Sequence, residues 1–136
     1  MSLKKLLSTP VEDQEVIVAY KDMTFVVRGR PDATIMQNCL FLQPDKKASF
    51  HKAIETTLKW KFPEEMLANM LMIQHTLVND EAKDKEDARY DLIEIAAIGK
   101  DHGPLYLQLL NAALTVLGLA DMNSEEDRIA EIAAKN

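Results

Sequence analysis

A chain of 136 residues, 47% hydrophobic and 28% charged, is long enough for one cored domain and too short for two substantial ones. Its net charge of −6 hides an asymmetry, with ten Lys/Arg against seven Asp/Glu up to Phe62 and six against fifteen from Pro63 onward; this argues against a polyphosphate-binding surface over the whole molecule and fits either two ordinary solvated faces or head-to-tail association of opposite halves. The longest apolar run, Leu105 to Ala120, contains Gln108, Asn111 and Thr115 and falls short of the roughly 20 residues a membrane-spanning helix needs, so a membrane partner is not expected.

The first residues, Met1 to Glu15, turn acidic soon after their leucines and show neither a continuous apolar region nor a cleavage site, so no export signal is expected. The lone cysteine, Cys39, has no intramolecular partner and fits a reducing interior. A cytoplasmic location follows as the expectation.

Two short strands come first, Val16 to Tyr20 and Phe25 to Val27, joined through Lys21-Asp22. Their β-branched and aromatic residues suit a packed, pleated surface. Side chains alternate across a sheet, so Val16, Val18 and Tyr20 face one way and Ile17 and Ala19 the other. Both faces are therefore apolar, whereas a sheet covered on one side alternates apolar with polar. A lone hairpin is marginal in water, so one face is expected to pack on the chain's own helices and the other face, with the open edges, on something else.

Asp32, after Gly29 and Pro31, is placed to cap a short helix through Thr34, Ile35, Met36, Leu40 and Leu42, and Pro44-Asp45 reads as its end. A second helix is predicted from about Lys46 to Lys59, where Phe50, Ala53, Ile54, Thr57 and Leu58 recur at helical spacing. Phe62-Pro63-Glu64-Glu65 reads as the start of a third, running to Val78 with Met66, Met70 and Met72 as core filler rather than a binding face. The segment Asn79 to Asp91 is the most charged of the chain and reads as a solvated loop entering a helix that stops at Gly99. His102-Gly103-Pro104 opens a helix from Leu105 to about Leu117, apolar almost all round and therefore central. Ser124 to Asp127 look like the cap of a short last helix.

Chemistry-bearing motifs are sparse. Only four glycines are available for a phosphate loop, and GxSxG, HExxH and a zinc cysteine pair do not occur. His51, His75 and His102 lie at no metal-ligand spacing, and His51 and Glu55 make a helical pair. Asp84, Asp87 and Asp91 share a helical face, but Lys83, Lys85 and Arg89 interleave with them, which describes a solvated face. Lys46, Lys47, Lys52, Lys59 and Lys61 with Phe50, Trp60 and Phe62 form the one candidate nucleic-acid patch, and Trp60 and Phe62 read more simply as the anchor that seats the next helix. Cys39 reads as an inert buried thiol. No catalytic, cofactor-binding or metal residue is assigned, an enzyme is not expected, and no nucleic-acid partner is expected.

A hairpin ending at VVRG, an Asp-capped helix, a lysine-bearing helix leading into KWKFPEE, and closure by LYLQLLNAALTVLG resemble the tail assembly chaperones of long-tailed, siphovirus-type phages. The resemblance implies a mainly α fold, a small helical bundle with an N-terminal β-hairpin, in a single domain over residues 1–136 with the hairpin at about 15–28 and helices from about 32 to 135. It further implies a non-enzymatic, cofactor-free protein of the host cell cytoplasm, not carried in the mature virion. Such a protein would coat the tape measure protein, keep it soluble and help recruit tail tube subunits, self-associating into an open or spiral homo-oligomer. A non-closing interface generates a spiral, and Val16, Val18, Tyr20, Phe25 and Val27 are taken as the hairpin residues that pack on a neighbouring subunit. The competing reading is a small acidic cytoplasmic adaptor or regulator of one protein partner.

Overall fold

Strand-forming residues with a two-residue turn build the hairpin, and among the described elements two helices of the later chain pack against it. A computed structural model describes residues 2–80 and 89–119 of the chain. Strand β1 (Gln14–Tyr20) pairs antiparallel with β2 (Met23–Gly29), from Gln14 opposite Gly29 to Tyr20 opposite Met23. Lys21 enters the turn at φ 54°, on the left-handed side that two-residue hairpins require.

A short helix, α1 (Leu3–Ser8), precedes the hairpin; Ser2 caps it by accepting from the Lys5 amide at 3.2 Å. After the hairpin come α2 (Ala33–Leu40), α3 (Pro44–Leu58), α4 (Met66–Thr76), α5 (Leu92–Asp101) and α6 (Gly103–Val116). The mainly α architecture with an N-terminal hairpin is the one the sequence predicts. Helix α6 underlies both strands and packs on α4 and α5, so it is the central element, as its near-continuous apolar surface requires. Leu105, Tyr106, Leu109, Ala112, Ala113 and Val116 are its buried residues. Helix α4 supplies Leu67, Met70, Leu71, Met72 and Ile73 to the same core, and there the methionines are filler. Fully burying a leucine or valine side chain contributes about 1.5–3 kcal/mol each, which is what holds two helices against two strands.

The helix ends show which local signals act. Asp32 accepts from the amides of Thr34 at 2.8 Å and Ile35 at 3.2 Å, fixing the start of α2. Pro44 opens α3 rather than only ending α2, because a first-turn proline lacks a donor the helix does not use. Pro63 lies before α4, in a turn where the Met66 amide bonds the Pro63 carbonyl. Helix α5 starts at Leu92, where Glu94 reaches back to the Asp91 amide at 3.1 Å, and continues through Gly99 to Asp101. Helix α6 ends in a full left-handed closure: the Leu119 amide bonds the Leu114 carbonyl at 2.8 Å, the Gly118 amide bonds Thr115 at 3.1 Å, and Gly118 takes φ 78°.

The largest departure from the predicted elements is at the end of α4. The α4 pattern was expected to reach Val78, but the helix stops at Thr76 and the chain straightens. Leu77 then bridges Val27 antiparallel, and the Val78 amide donates to the Val26 carbonyl at 2.9 Å. Hydrophobic residues at helical spacing carry no mark of this, because Leu77 is buried in the bridge as it would be in the helix. Buried Thr76 satisfies its hydroxyl on the Met72 carbonyl at 2.8 Å, a back-bond of the kind found where helices bend or end. The predicted last helix and most of the charged segment, including Asp84 and Asp87, lie outside the described residues.

Candidate functional site

The hairpin face assigned to a neighbouring subunit is the inner one, and that assignment is corrected. In register, Val16 stands opposite Val27 and Val18 opposite Phe25. Val18 is 6% and Val27 0% exposed, while Val16, Tyr20 and Phe25 are half-buried against the same core. Helix α6 of the same chain covers them. With both faces apolar, alternation identifies two sets of residues and leaves open which set faces in. Tyr20 is also tied down by its hydroxyl, 3.2 Å from Nδ1 of His102 at the α5–α6 junction.

The outer side of the hairpin carries the complementary set. Ile17 is 60% exposed, and Ala19 and Thr24 are exposed with it. The edges differ. Leu77 and Val78 cover the edge of β2, whereas the two-stranded order of the sheet leaves the far edge of β1 without a strand among the described residues. Glu15 on that strand is held across the hairpin by Arg28, with Nε of the guanidinium 2.5 Å from the Glu15 carboxylate.

A second exposed apolar surface belongs to α1. Leu3, Leu6 and Leu7 are 69%, 57% and 75% exposed, α1 buries none of its residues, and it packs on none of the other described elements. Six residues are too few to hold a helix in water unaided. Nearby in sequence Val11 is exposed, and on another part of the molecule so are Phe41, Leu40 and Leu107. Between α3, α4 and α5 lies a groove of about 360 Å3 lined by Phe50, Ala53, Ile54, Leu92 and Ile93, with Gln74 and Asp91 as its polar lining.

The residues considered for chemistry have structural partners. His51 places Nε2 2.6 Å from the Phe62 carbonyl and 3.5 Å from Glu55, while Glu55 accepts from the Phe62 amide at 3.2 Å. This knot closes the α3–α4 connection. Trp60 stacks on Phe62 at 5.0 Å between centroids, and Phe62 is buried, the anchor arrangement expected from the sequence. Lys47 lies 3.9 Å from Glu64, and Lys100 donates to the Leu58 carbonyl at the end of α3. Cys39 is buried, and desolvation pushes its thiol up to about 11 against the opposing pull of Arg89. The Arg89 guanidinium donates to the carbonyls of Gln74 and His75 at the end of α4, where a cation complements the helix dipole. Among the described residues no cluster of His, Cys, Asp and Glu is arranged to hold a metal ion, and no helix is long and apolar enough to cross a membrane.

The chain matches no protein-family model, no curated protein and no solved structure.

Proposed function

We propose that this protein is an assembly chaperone of the phage-tail type, which works by self-association and by offering apolar surface to a long, helix-rich client, the tape measure protein, while tail tube subunits are recruited around it. The observation that carries this reading is the leucine face of α1, three adjacent leucines more than half exposed on a helix that packs on no other described element. Single exposed leucines are ordinary, but a grouped apolar stripe on a detached helix is a surface made for a partner. Lys4 and Lys5 on the same helix suit an acidic or amphipathic helical client. The charge difference between the two halves of the chain supplies a second attraction between copies. The host cell cytoplasm, where tails are assembled, belongs to this reading.

Sedimentation velocity over a wide concentration range, at low and moderate salt, tests self-association. Co-expression with a tape measure protein, scored as the soluble fraction of that client, tests chaperoning. The expected result is mass that grows with concentration and shrinks with salt, and a client kept soluble by the wild type but not by a Leu3→Asp, Leu7→Asp double variant with an unchanged circular dichroism spectrum. A chain that stays monomeric throughout and leaves the client insoluble would overturn the reading in favour of the adaptor.

A further inference from the structure

The free edge of β1 is complementary to itself. The Val26 carbonyl is turned toward Val78, away from β1. Val26 stands opposite Ile17 in the hairpin, so theirs is a non-hydrogen-bonded pair and the Ile17 amide and carbonyl point away from β2. Backbone groups alternate along a strand, so Glu15, Ile17 and Ala19 all present their N–H and C=O groups on the open edge. No strand among the described residues receives them.

Edges of this kind are normally guarded by proline, by inward charge, by lysine or by a bulge. From Val16 to Tyr20 the strand has none of these, and its register with β2 is unbroken. We propose that β1 pairs antiparallel with β1 of a second copy about a two-fold axis at Ile17. In that register Ile17 faces its own symmetry mate, and Glu15 faces Ala19 of the second copy in both directions. Every edge-facing donor then meets an acceptor. Beyond the paired strands, Asp13, which also faces Arg30 of its own chain, lies at the same end as the turn residue Lys21 of the second copy, whereas a parallel alignment would set Asp13 and Glu15 beside their own copies. On the solvent side the exposed Ile17 side chains cover each other, and on the core side Val16 stands across from Val18 of the second copy, continuing the inner apolar face.

This pairing rests on the self-association proposed above and specifies its smallest unit. A two-fold contact is closed, so larger assemblies must grow from pairs through a different, heterologous surface. Backbone pairing is also far less sensitive to salt than attraction between charged halves.

Single-cysteine variants test it. A hydrogen-bonded antiparallel pair holds its Cα atoms about 5.5 Å apart, within disulfide range. Ile17→Cys is expected to form a covalent dimer under mild oxidation at least tenfold faster than Glu15→Cys or Ala19→Cys alone, while an equal mixture of Glu15→Cys and Ala19→Cys gives the mixed disulfide. Native Cys39, 1% exposed, stays out of the reaction. Ile17→Lys, whose side chain points to solvent, should sediment as a monomer at high salt with an unchanged circular dichroism spectrum, where the wild type remains a dimer. Equal cross-linking at all three positions, or a wild type that still assembles while Ile17→Cys links no faster than Glu15→Cys, would overturn the β1 pairing and leave self-association standing on another surface. A wild type monomeric at every concentration would remove both.

Discussion

The Val78 amide donates to the Val26 carbonyl across 2.9 Å, and this contact makes the hairpin one-sided. It closes the edge of β2 with the chain that leaves α4, leaves β1 as the open edge among the described residues, and sets the end of α4 against the strand that α6 covers.

Val78→Pro removes that donor. Proline prefers an extended residue before it, and Leu77 is already extended at φ −74°, ψ 119°. The expected loss is that of one hydrogen bond with a carbonyl left underused, about 1–2 kcal/mol. A lower denaturant midpoint with an unchanged slope would register it, and an unchanged midpoint would mean that the bridge contributes nothing.

Much of the fold was legible because the deciding signals are local. Asp32 before an apolar repeat, the β-branched runs around Lys21-Asp22, and the largely apolar run of Leu105 to Leu117 each specify an element by short-range chemistry. The face of the hairpin was not legible, since Val16, Val18 and Tyr20 are scarcely more apolar than Ile17 and Ala19, and only the position of α6 separates them. The third, minimal strand at Leu77 was hidden for a related reason. A residue buried at the end of a helix and one buried in a bridge have the same hydrophobicity, and the change of backbone direction comes from tertiary pairing with Val27.

The two left-handed helix ends should respond in opposite ways. Lys59 ends α3 at φ 51°, ψ 47°, a conformation that costs a side-chain-bearing residue about 1 kcal/mol and glycine almost nothing. Lys59→Gly is expected to raise stability by about 0.5–1 kcal/mol. Gly118 sits at φ 78° with Pro31 Cγ 3.0 Å from where a Cβ would stand, so Gly118→Ala meets both backbone strain and a fixed ring. Its expected cost is about 1–3 kcal/mol. Paired thermal melts should show the two midpoints displaced in opposite directions.

Tyr106 is buried with its hydroxyl bonded to nothing among the described residues, and burial pushes its ionisation up to about 12. A phenol desolvated without a partner is a cost that phenylalanine avoids while filling the same space against Gly99. Tyr106→Phe is expected to be neutral or to stabilise by about 1 kcal/mol, whereas Leu109→Ala, deeper in the same helix, should cost about 2–5 kcal/mol through its cavity. The tyrosine also predicts an alkaline signature. The unfolded phenol ionises near pH 10 and the folded one near 12, so the wild type loses stability across that window. Urea titrations at pH 9 and pH 11 should show a decline that Tyr106→Phe reduces.

His75 should give the corresponding dependence on the acid side. Its pKa is lowered, chiefly by burial and secondly by the positive charge of Arg89, whose guanidinium is bonded to the His75 carbonyl itself. The folded protein therefore holds this imidazole neutral at a pH where the unfolded chain, titrating near the ordinary value of about 6.5, has begun to take up a proton. With more protons bound in the unfolded state, stability rises with pH through this window and falls as pH drops below it. His75→Gln removes the titration, and its stability between pH 7.5 and pH 5 should fall less steeply than that of the wild type. Arg89→Gln should leave most of the slope, because burial is the larger cause. Identical slopes in wild type and His75→Gln would show that the imidazole takes up its proton as readily in the folded protein as in the open chain.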